Sequence, residues 1–223
     1  MHNNESLIEN VVSYIRRQIF ETKTLTPGDR INERELSRIL NISRAPIREA
    51  FRELEEQGFI TSIKYKGWFV PNFTDEEAVE INSVRTFLEG YLFETAMLVG
   101  CYTEEDLLPA KLLNEELALL EAAEDSEKVY HFLEKEMEFH LSLYSIAKNH
   151  CVLTRKLLEN LSYQIRLSLS YTDNLHMHNF MKYSVQVHRL MIKYLSEKNR
   201  KAFQEIISKR LDKSKNIQNI LCT

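Results

Sequence analysis

The sequence has few cysteines, and their placement excludes two kinds of fold. The three are Cys101, Cys151 and Cys222, which lie far apart, show no C-x-x-C spacing and leave one over after any pairing. A disulfide framework needs an even set of cysteines, and a zinc ribbon needs paired C-x-x-C motifs. We therefore expect three reduced thiols.

Long uncharged apolar runs are also missing. A membrane-spanning helix needs about 20 consecutive apolar residues, and no segment of the 223-residue chain approaches that length without charge. The first ten residues carry two glutamates and no lysine or arginine, whereas a secretion signal begins with basic residues. We expect a cytoplasmic protein with no membrane partner.

Motifs of common enzyme classes are absent as well. The sequence contains no H-E-x-x-H zinc motif, no Walker phosphate-binding loop and no G-x-S-x-G nucleophile motif. None of its seven histidines follows a glutamate by three residues, which is the spacing that di-iron helical bundles use. We therefore expect no enzyme and keep a helical-bundle metalloenzyme as the weaker alternative.

Charge is distributed unevenly along the chain. Residues 1–73 hold 11 Lys and Arg against 10 Asp and Glu, whereas residues 74–223 hold 18 against 23. The overall charge of −4 thus divides into +1 and −5. A non-specific nucleic-acid coat protein would be far more basic. A nucleic-acid interface in this chain has to rely on a few well-placed arginines.

The first 73 residues combine three predicted helices with a short hairpin. Apolar residues recur at helical spacing from Glu5 to about Phe20, and Asn32 and Ser43 stand where the N-caps of two further helices are expected. Two short apolar runs then flank the basic turn at 64–67. Three helices followed by a two-stranded hairpin is the order of a winged helix-turn-helix, which binds DNA.

The third helix and the hairpin carry residue types suited to DNA. Arg44 and Arg48 lie one turn apart near the helix start and can present guanidinium groups to guanine edges or phosphates. Ser43 and the amides of the first turn suit a phosphate, and Lys66 and Gly67 suit a wing tip that approaches the backbone. The alternative is a solvated helix face in which the arginines pair with glutamates of the same helix.

These segments together resemble the GntR family of bacterial transcription regulators. The resemblance rests on P-G at 27–28, I-N-E-R-E-L at 31–36, S-R-A-P-I-R-E-A at 43–50 and K-G-W-F-V at 66–70. It implies a DNA-binding domain over residues 1–73. It also implies that operator DNA is contacted by Arg34, Ser43, Arg44, Ala45, Arg48, Lys66 and Gly67.

Residues 74–223 are predicted to be entirely helical, because strand-like alternation is absent there. Helix starts are expected at Thr74, Thr103 and Ser126. The predicted helices lie near residues 75–99, 104–123, 127–148, 151–171, 175–196 and 199–219. The fold class is therefore mainly α, with a winged helix-turn-helix of three helices and a two-stranded wing followed by an all-α bundle.

This second segment resembles the FCD type of helical domain, found in the FadR branch of the GntR family. The motifs are R-T-F-L-E at 85–89, E-M-E-F-H at 136–140 and H-R-L at 188–190, with R-L at 210–211 downstream. The resemblance implies a dimerising domain whose cavity binds a small organic acid, frequently beside a metal held by one Asp and three His. At those ligand positions this chain has Glu136, His140, His188 and Arg210.

Arg210 leaves two alternatives open for the cavity. Glu136 and His140 lie one helical turn apart, so a carboxylate and an imidazole can reach one ion, and His188 would complete a three-ligand zinc or nickel site. An arginine does not deprotonate to bind a cation, and it repels one nearby. The favoured alternative is a metal-free cavity in which Arg210 pairs with Glu136 or holds an effector carboxylate.

The remaining charged residues of this segment carry weaker signals. The resemblance implies that Arg85 faces the same cavity and holds an effector carboxylate, and an ion pair with Glu89 one turn on is the alternative. The other histidines match no ligand position, so we expect them at the surface or at helix ends: His131, His150, His176 and His178.

The sequence as a whole predicts a homodimeric transcription regulator whose operator binding is controlled by an organic-acid effector. A two-fold dimer suits two operator half-sites about one helical turn apart. The alternative is a DNA-binding dimer whose helical domain binds no effector.

Overall fold

The structure is a computed structural model that describes residues 2–123, 128–170 and 174–221. The chain divides into two compact units, Met1–Phe73 and Thr74–Thr223. The predicted helix start at Ser126 and the predicted free thiol of Cys222 lie outside the described residues. Among the described helices, none has the length and apolar character needed to cross a membrane.

The first unit holds three helices and a small sheet. The helices are α1 (His2–Phe20), α2 (Glu33–Leu40) and α3 (Arg44–Glu56), and the strands are β1 (Arg30–Ile31), β2 (Thr61–Ile63) and β3 (Gly67–Phe69). The antiparallel sheet has the order β1-β3-β2. The sequence analysis gave the wing two strands. It missed β1, because a strand of two residues is too short to leave an alternating pattern.

The buried face of α3 fixes which of its residues point outward. Ile47, Ala50, Phe51 and Leu54 are fully buried, in agreement with their helical spacing, and α1 packs against this face. The ring of Phe51 also meets Trp68 of the wing edge-on, with 5.3 Å between ring centroids. The arginines of α3 therefore lie on the opposite, exposed side.

Local caps set the turn between α2 and α3. The side chain of Asn32 accepts hydrogen bonds from the backbone amides of Arg34 and Glu35, at 3.0 and 3.3 Å, which confirms it as the N-cap of α2. Asn41 ends α2 in the left-handed region with φ of 53°, a conformation that asparagine tolerates better than most residues. Ser43 occupies the N-cap of α3, but its side chain makes no capping hydrogen bond.

The described residues of the second unit form helices joined by short connections, with no strand among them. Its helices are α4 (Asp75–Val99), α5 (Leu108–Ala122), α6 (Lys128–Tyr144), α7 (Val152–Leu169), α8 (Asn174–Ser196) and α9 (Arg200–Leu221). α4 begins at the predicted capping box, in which Thr74 and Glu77 exchange hydrogen bonds. α4 packs against α7 and α9, while α5 packs against α6 and α8. An aromatic-rich core lies between them.

Candidate DNA-binding surface and candidate effector site

The arginines at the start of α3 are held by an acid of α2. Arg44 Nη2 lies 3.2 Å from Glu33 Oε2, and Arg48 Nε contacts Glu33 Oε1. Burial raises the pKa of Glu33, but its bonds to Arg48 and Arg44 outweigh this and bring the pKa below its usual value. Glu33 therefore stays charged and orients both guanidinium groups while leaving them about half exposed.

A cleft of about 350 Å³ lies beside these arginines. It is lined by Arg30, Arg34, Arg44, Gly67 and Trp68, together with residues 31–33. Gly67 has φ of +103°, and a side chain there would meet the guanidinium of Arg30 at 3.5 Å. Three arginines against one acid make a site suited to a phosphodiester.

The predicted DNA-contacting residues fall into two groups. Arg34, Arg44 and Gly67 line the cleft, and the others are exposed nearby in sequence without lining it: Ser43, Ala45, Arg48 and Lys66. Sequence reasoning missed Arg30, because only the pairing of β1 with β3 brings it to the wing. An arginine two residues before the Asn32 cap was the available signal.

The second unit buries an unusual set of charged and ionisable side chains. Arg85 and Glu89 come from α4, Glu136 and His140 from α6, His188 from α8 and Arg210 from α9, and each is at most 8% exposed. Burying a charge is costly unless it is paired and hydrogen-bonded. The partners of each group therefore decide what the cluster can do.

Three of these residues converge on one point. His140 Nε2 lies 3.3 Å from both Glu136 Oε1 and His188 Nε2, and His188 Nε2 lies 3.5 Å from Glu136 Oε1. Ligands about 2.1 Å from a tetrahedral metal are separated by roughly 3.4 Å, so the three atoms stand where a metal's ligands would. Their types, two imidazoles and a carboxylate, suit zinc or nickel. We call Glu136, His140 and His188 the triad.

The electrostatics of the triad also fit a cation. Burial lowers the pKa of His188 to about 4, so its imidazole is neutral and retains a lone pair. Burial raises the pKa of Glu136, but His188 and His140 outweigh it and hold the pKa well below its usual range. The second oxygen of Glu136 is buried with no hydrogen-bond partner among the described residues. Phe139 stacks on the ring of His188 at 3.7 Å and fixes its orientation.

Glu89 is the centre of a second network behind the triad. Its Oε2 accepts from Arg210 Nη1 at 2.6 Å, and its Oε1 accepts from the hydroxyl of Tyr144 at 2.8 Å. Arg85 Nε approaches Oε1 to 3.7 Å. Burial raises the pKa of Glu89, but Arg210, His140 and Arg85 outweigh it and hold the pKa well below its usual range. Glu89 is therefore a permanent anion.

The same carboxylate orients one member of the triad. His140 Nδ1 lies 2.9 Å from Glu89 Oε1, although its approach misses good hydrogen-bond geometry, so the contact is chiefly electrostatic. A carboxylate beside Nδ1 favours the proton on that nitrogen and leaves the lone pair on Nε2, the atom that faces the triad.

Arg210 forms an ion pair with Glu89, a partner that the sequence did not predict for it, and its role toward an effector carboxylate stays a prediction. The reason is tertiary, because α4 and α9 pack along each other and bring together residues 121 positions apart. Arg85 forms the ion pair with Glu89 that the sequence offered as an alternative. The four other histidines of the second unit are exposed.

A small pocket adjoins the triad. It is lined by Arg85, Leu133, Glu136, Met137, Ser162, Ile165, Arg166 and Leu169, and its volume of about 10 Å³ leaves room for about one water molecule. Arg166 was missed by sequence reasoning, because α7 has the apolar stripe of a core helix. An arginine set within that stripe, next to Ile165, was the available signal.

The chain is similar to known families and proteins along almost its whole length. The family described as bacterial regulatory proteins, gntR family, matches residues 7–70, and the FCD domain matches residues 80–213. The Nta operon transcriptional regulator of Aminobacter aminovorans is 32% identical over 160 residues, which cover 67% of this chain and 72% of that protein. The HTH-type transcriptional regulator YdhC of Bacillus subtilis is 28% identical over 193 residues, covering 86% and 81%.

A solved structure shares the fold. The structure of a GntR transcriptional regulator from Rhodococcus sp. RHA1 superposes with a TM-score of 0.73 at 22% identity, covering 96% of this chain and 98% of the other. The proteins matched are transcription regulators and not enzymes.

Replacing Arg210 should strip Glu89 of its main counter-charge. We expect Arg210→Met to lower the free energy of unfolding by about 3 kcal/mol, because a buried carboxylate is left uncompensated. Arg200→Met breaks the exposed Arg200–Glu94 pair and should cost below about 1 kcal/mol. Urea denaturation followed by circular dichroism measures both. The double variant Glu89→Gln, Arg210→Met should recover part of the loss, and equal effects for the two arginines would contradict the assignment.

Proposed function

The chain belongs to the gntR family of bacterial regulatory proteins and carries an FCD domain, so it is a DNA-binding transcription regulator, and we propose that a small organic acid bound within residues 74–223 controls its operator binding. The observation that carries this proposal is the buried triad beside an arginine-lined pocket. The division of labour, with DNA binding in residues 1–73 and effector binding and dimerisation in residues 74–223, is part of the proposal. So is its location in the bacterial cytoplasm, on the nucleoid when DNA is bound.

In this proposal α3 enters the major groove of the operator. Arg44 and Arg48 read base edges, and Arg34, together with Lys66 and Gly67 of the wing, contacts phosphates. Ser43 and Ala45 flank the reading arginines at the start of α3. The exposure of the guanidinium groups and their fixation by Glu33 support this assignment, since oriented arginines lose less freedom on binding.

Loss of either reading arginine should weaken operator binding and relax its specificity. We expect Arg44→Ala and Arg48→Ala each to cost about 1–3 kcal/mol on the operator and far less on an unrelated duplex. Fluorescence anisotropy with both duplexes, over a range of salt, measures this. Arg17→Ala, on α1, removes an exposed arginine paired with Glu21 and serves as the control. Wild-type affinity in both α3 variants would contradict the assignment.

We further propose that the triad holds a divalent cation such as zinc or nickel. The sequence favoured a metal-free cavity because of the charge of Arg210, but Glu89 neutralises that charge, so this reason is lost. Three protein ligands leave a coordination position open. A bound cation would supply positive charge for the carboxylate of an acid, and Glu89 would keep His140 turned toward it.

The cation has a direct analytical test. Protein purified without an affinity tag and dialysed against zinc or nickel should retain about one equivalent of metal per chain, measured by mass spectrometry of the digested protein. His140→Ala should lose the metal, because all three ligands are required. His131→Ala, which removes an exposed histidine, should retain it. If the wild type retains no more metal than His140→Ala, the metal-free alternative is favoured.

A homodimer is proposed on the basis of an apolar stripe along α4. Val84, Phe87, Tyr91 and Leu98 recur at spacings of three, four and seven residues and are 43–66% exposed, so they share one helix face. Clustered exposed apolar groups of this kind mark protein interfaces. A two-fold dimer presents two copies of α3 to half-sites about 34 Å apart.

Charge on this stripe should separate the dimer. We expect the double variant Phe87→Glu, Tyr91→Glu to elute as a monomer in size-exclusion chromatography with light scattering, because two like-charged pairs would face each other in the seam. Leu119→Glu, at an exposed site on α5, is the matched control and should remain dimeric. If both variants stay dimeric with native circular dichroism, the seam lies elsewhere.

The proposed control is a shift in population. A ligand that binds one arrangement of the dimer better than another shifts the population toward that arrangement. The affinity for DNA then changes by no more than the ratio of the ligand's affinities for the two arrangements. The alternative, a DNA-binding dimer without an effector, predicts that no organic acid raises the melting temperature, since any ligand of the folded state must do so.

A further inference from the structure

The pocket beside the triad has an uneven chemical lining. Four of its residues are apolar, Leu133, Met137, Ile165 and Leu169, and the polar remainder is Arg85, Glu136, Ser162 and Arg166. Ligand sites commonly combine apolar walls with a few convergent polar groups. Two guanidinium groups at the edge of such a pocket suit a carboxylate.

Arg210 does not serve this pocket. It is bound to Glu89, whose carboxylate is fully buried. In this packing the charged carboxylate cannot reach solvent. An acid arriving from water therefore cannot displace Glu89 from Arg210 without leaving a buried charge uncompensated. Arg85 differs from Arg210 because it lines the pocket and lies 3.7 Å from Glu89, so an acid can contact it without displacing Glu89. Arg210 stands at a position where the family has a metal ligand, but here it stabilises the packing of α9 on α4 through Glu89.

Arg166 stands in a different situation. It is 7% exposed, and its Nη2 lies 3.2 Å from Glu134 Oε1, but the side chain of Glu134 is 37% exposed. The guanidinium also lies 5.7 Å from the ring centroid of Tyr130. Because Glu134 reaches water, it can release Arg166 and remain solvated, at the modest cost typical of a partly exposed pair.

We propose that Arg166 and Arg85 form the clamp for the effector carboxylate, and that Glu134 is the internal counter-ion that the effector displaces from Arg166. This inference rests on the proposed function, since it takes the effector to be an acid. The ligand class is a small organic acid with a short hydrocarbon body, which the apolar walls would cover. The pocket holds about one water as it stands, so binding requires α6 and α7 to separate at this point.

The test uses calorimetry of the full-length protein without DNA. The probes are acetate, butyrate and succinate, with butyramide as the uncharged match of butyrate. We expect at least one acid to bind and butyramide to fail. Arg166→Gln should raise the dissociation constant of that acid about tenfold or more, because a charged hydrogen bond is lost. Glu134→Gln should lower it, because the competing carboxylate is gone.

The opposite signs separate a clamp from a structural ion pair. If the Arg166–Glu134 pair only stabilised the fold, both variants would weaken binding together. The matched control is the pair Arg155 and Glu159 of the same helix α7, whose glutamine variants should bind the acid like the wild type. Shifts of the same sign in Arg166→Gln and Glu134→Gln, or no acid bound by the wild type, overturn the clamp.

Failure of the clamp is distinguishable from failure of the regulator. Operator binding by the wild type is measured in the absence of acid, because this binding depends on the residues of the DNA surface and not on the clamp. If the protein binds DNA through Arg44 and Arg48 but shows no clamp, only this inference is wrong. If the protein binds the acid but no DNA, the proposed function is wrong and the clamp is retained.

Discussion

The carboxylate of Glu89 has no access to water, and it determines how the buried polar groups of the second unit are arranged. A buried charge of this kind is tolerated only when its partners are fixed around it. Arg210 of α9 and Tyr144 of α6 supply those partners to a residue of α4, so three helices are tied at one point. His140 takes its orientation from the same carboxylate, and the geometry of the triad depends on it.

In both units, an acid holds arginines that are proposed to bind a ligand. Glu33 orients Arg44 and Arg48 on the DNA surface, and Glu134 holds Arg166 beside the pocket. Glu134 is the more exposed acid, at 37% against 17% for Glu33, and only Glu134 is proposed to be displaced. Glu89 differs because it is fully buried, and we assign a structural role to its closest arginine, Arg210. In the proposed roles, the exposure of the counter-ion separates Arg166, whose partner Glu134 is displaced, from Arg210, whose partner Glu89 is not.

Local chemistry made part of this molecule predictable from sequence. The capping box at Thr74 and the cap at Asn32 fixed helix starts, and the one-turn spacing of Glu136 and His140 predicted that both reach one point. Features that depend on tertiary packing were not predictable. The spacing along α4 offered Glu89 only to Arg85, whereas its strongest bond comes from α9. Arg166 was not predicted because it lies within the apolar stripe of α7. Helical periodicity shows which residues share a face, but not which elements pack against that face.

If an acid in the second unit controls DNA binding by the first, each ligand changes the affinity of the protein for the other. Operator affinity is measured by anisotropy with and without a saturating acid, and acid affinity by calorimetry with and without operator. We predict that operator affinity and acid affinity change by the same factor, since coupling between sites is reciprocal. We expect this factor to be about fivefold or more. An acid that binds tightly while leaving operator affinity unchanged would contradict it.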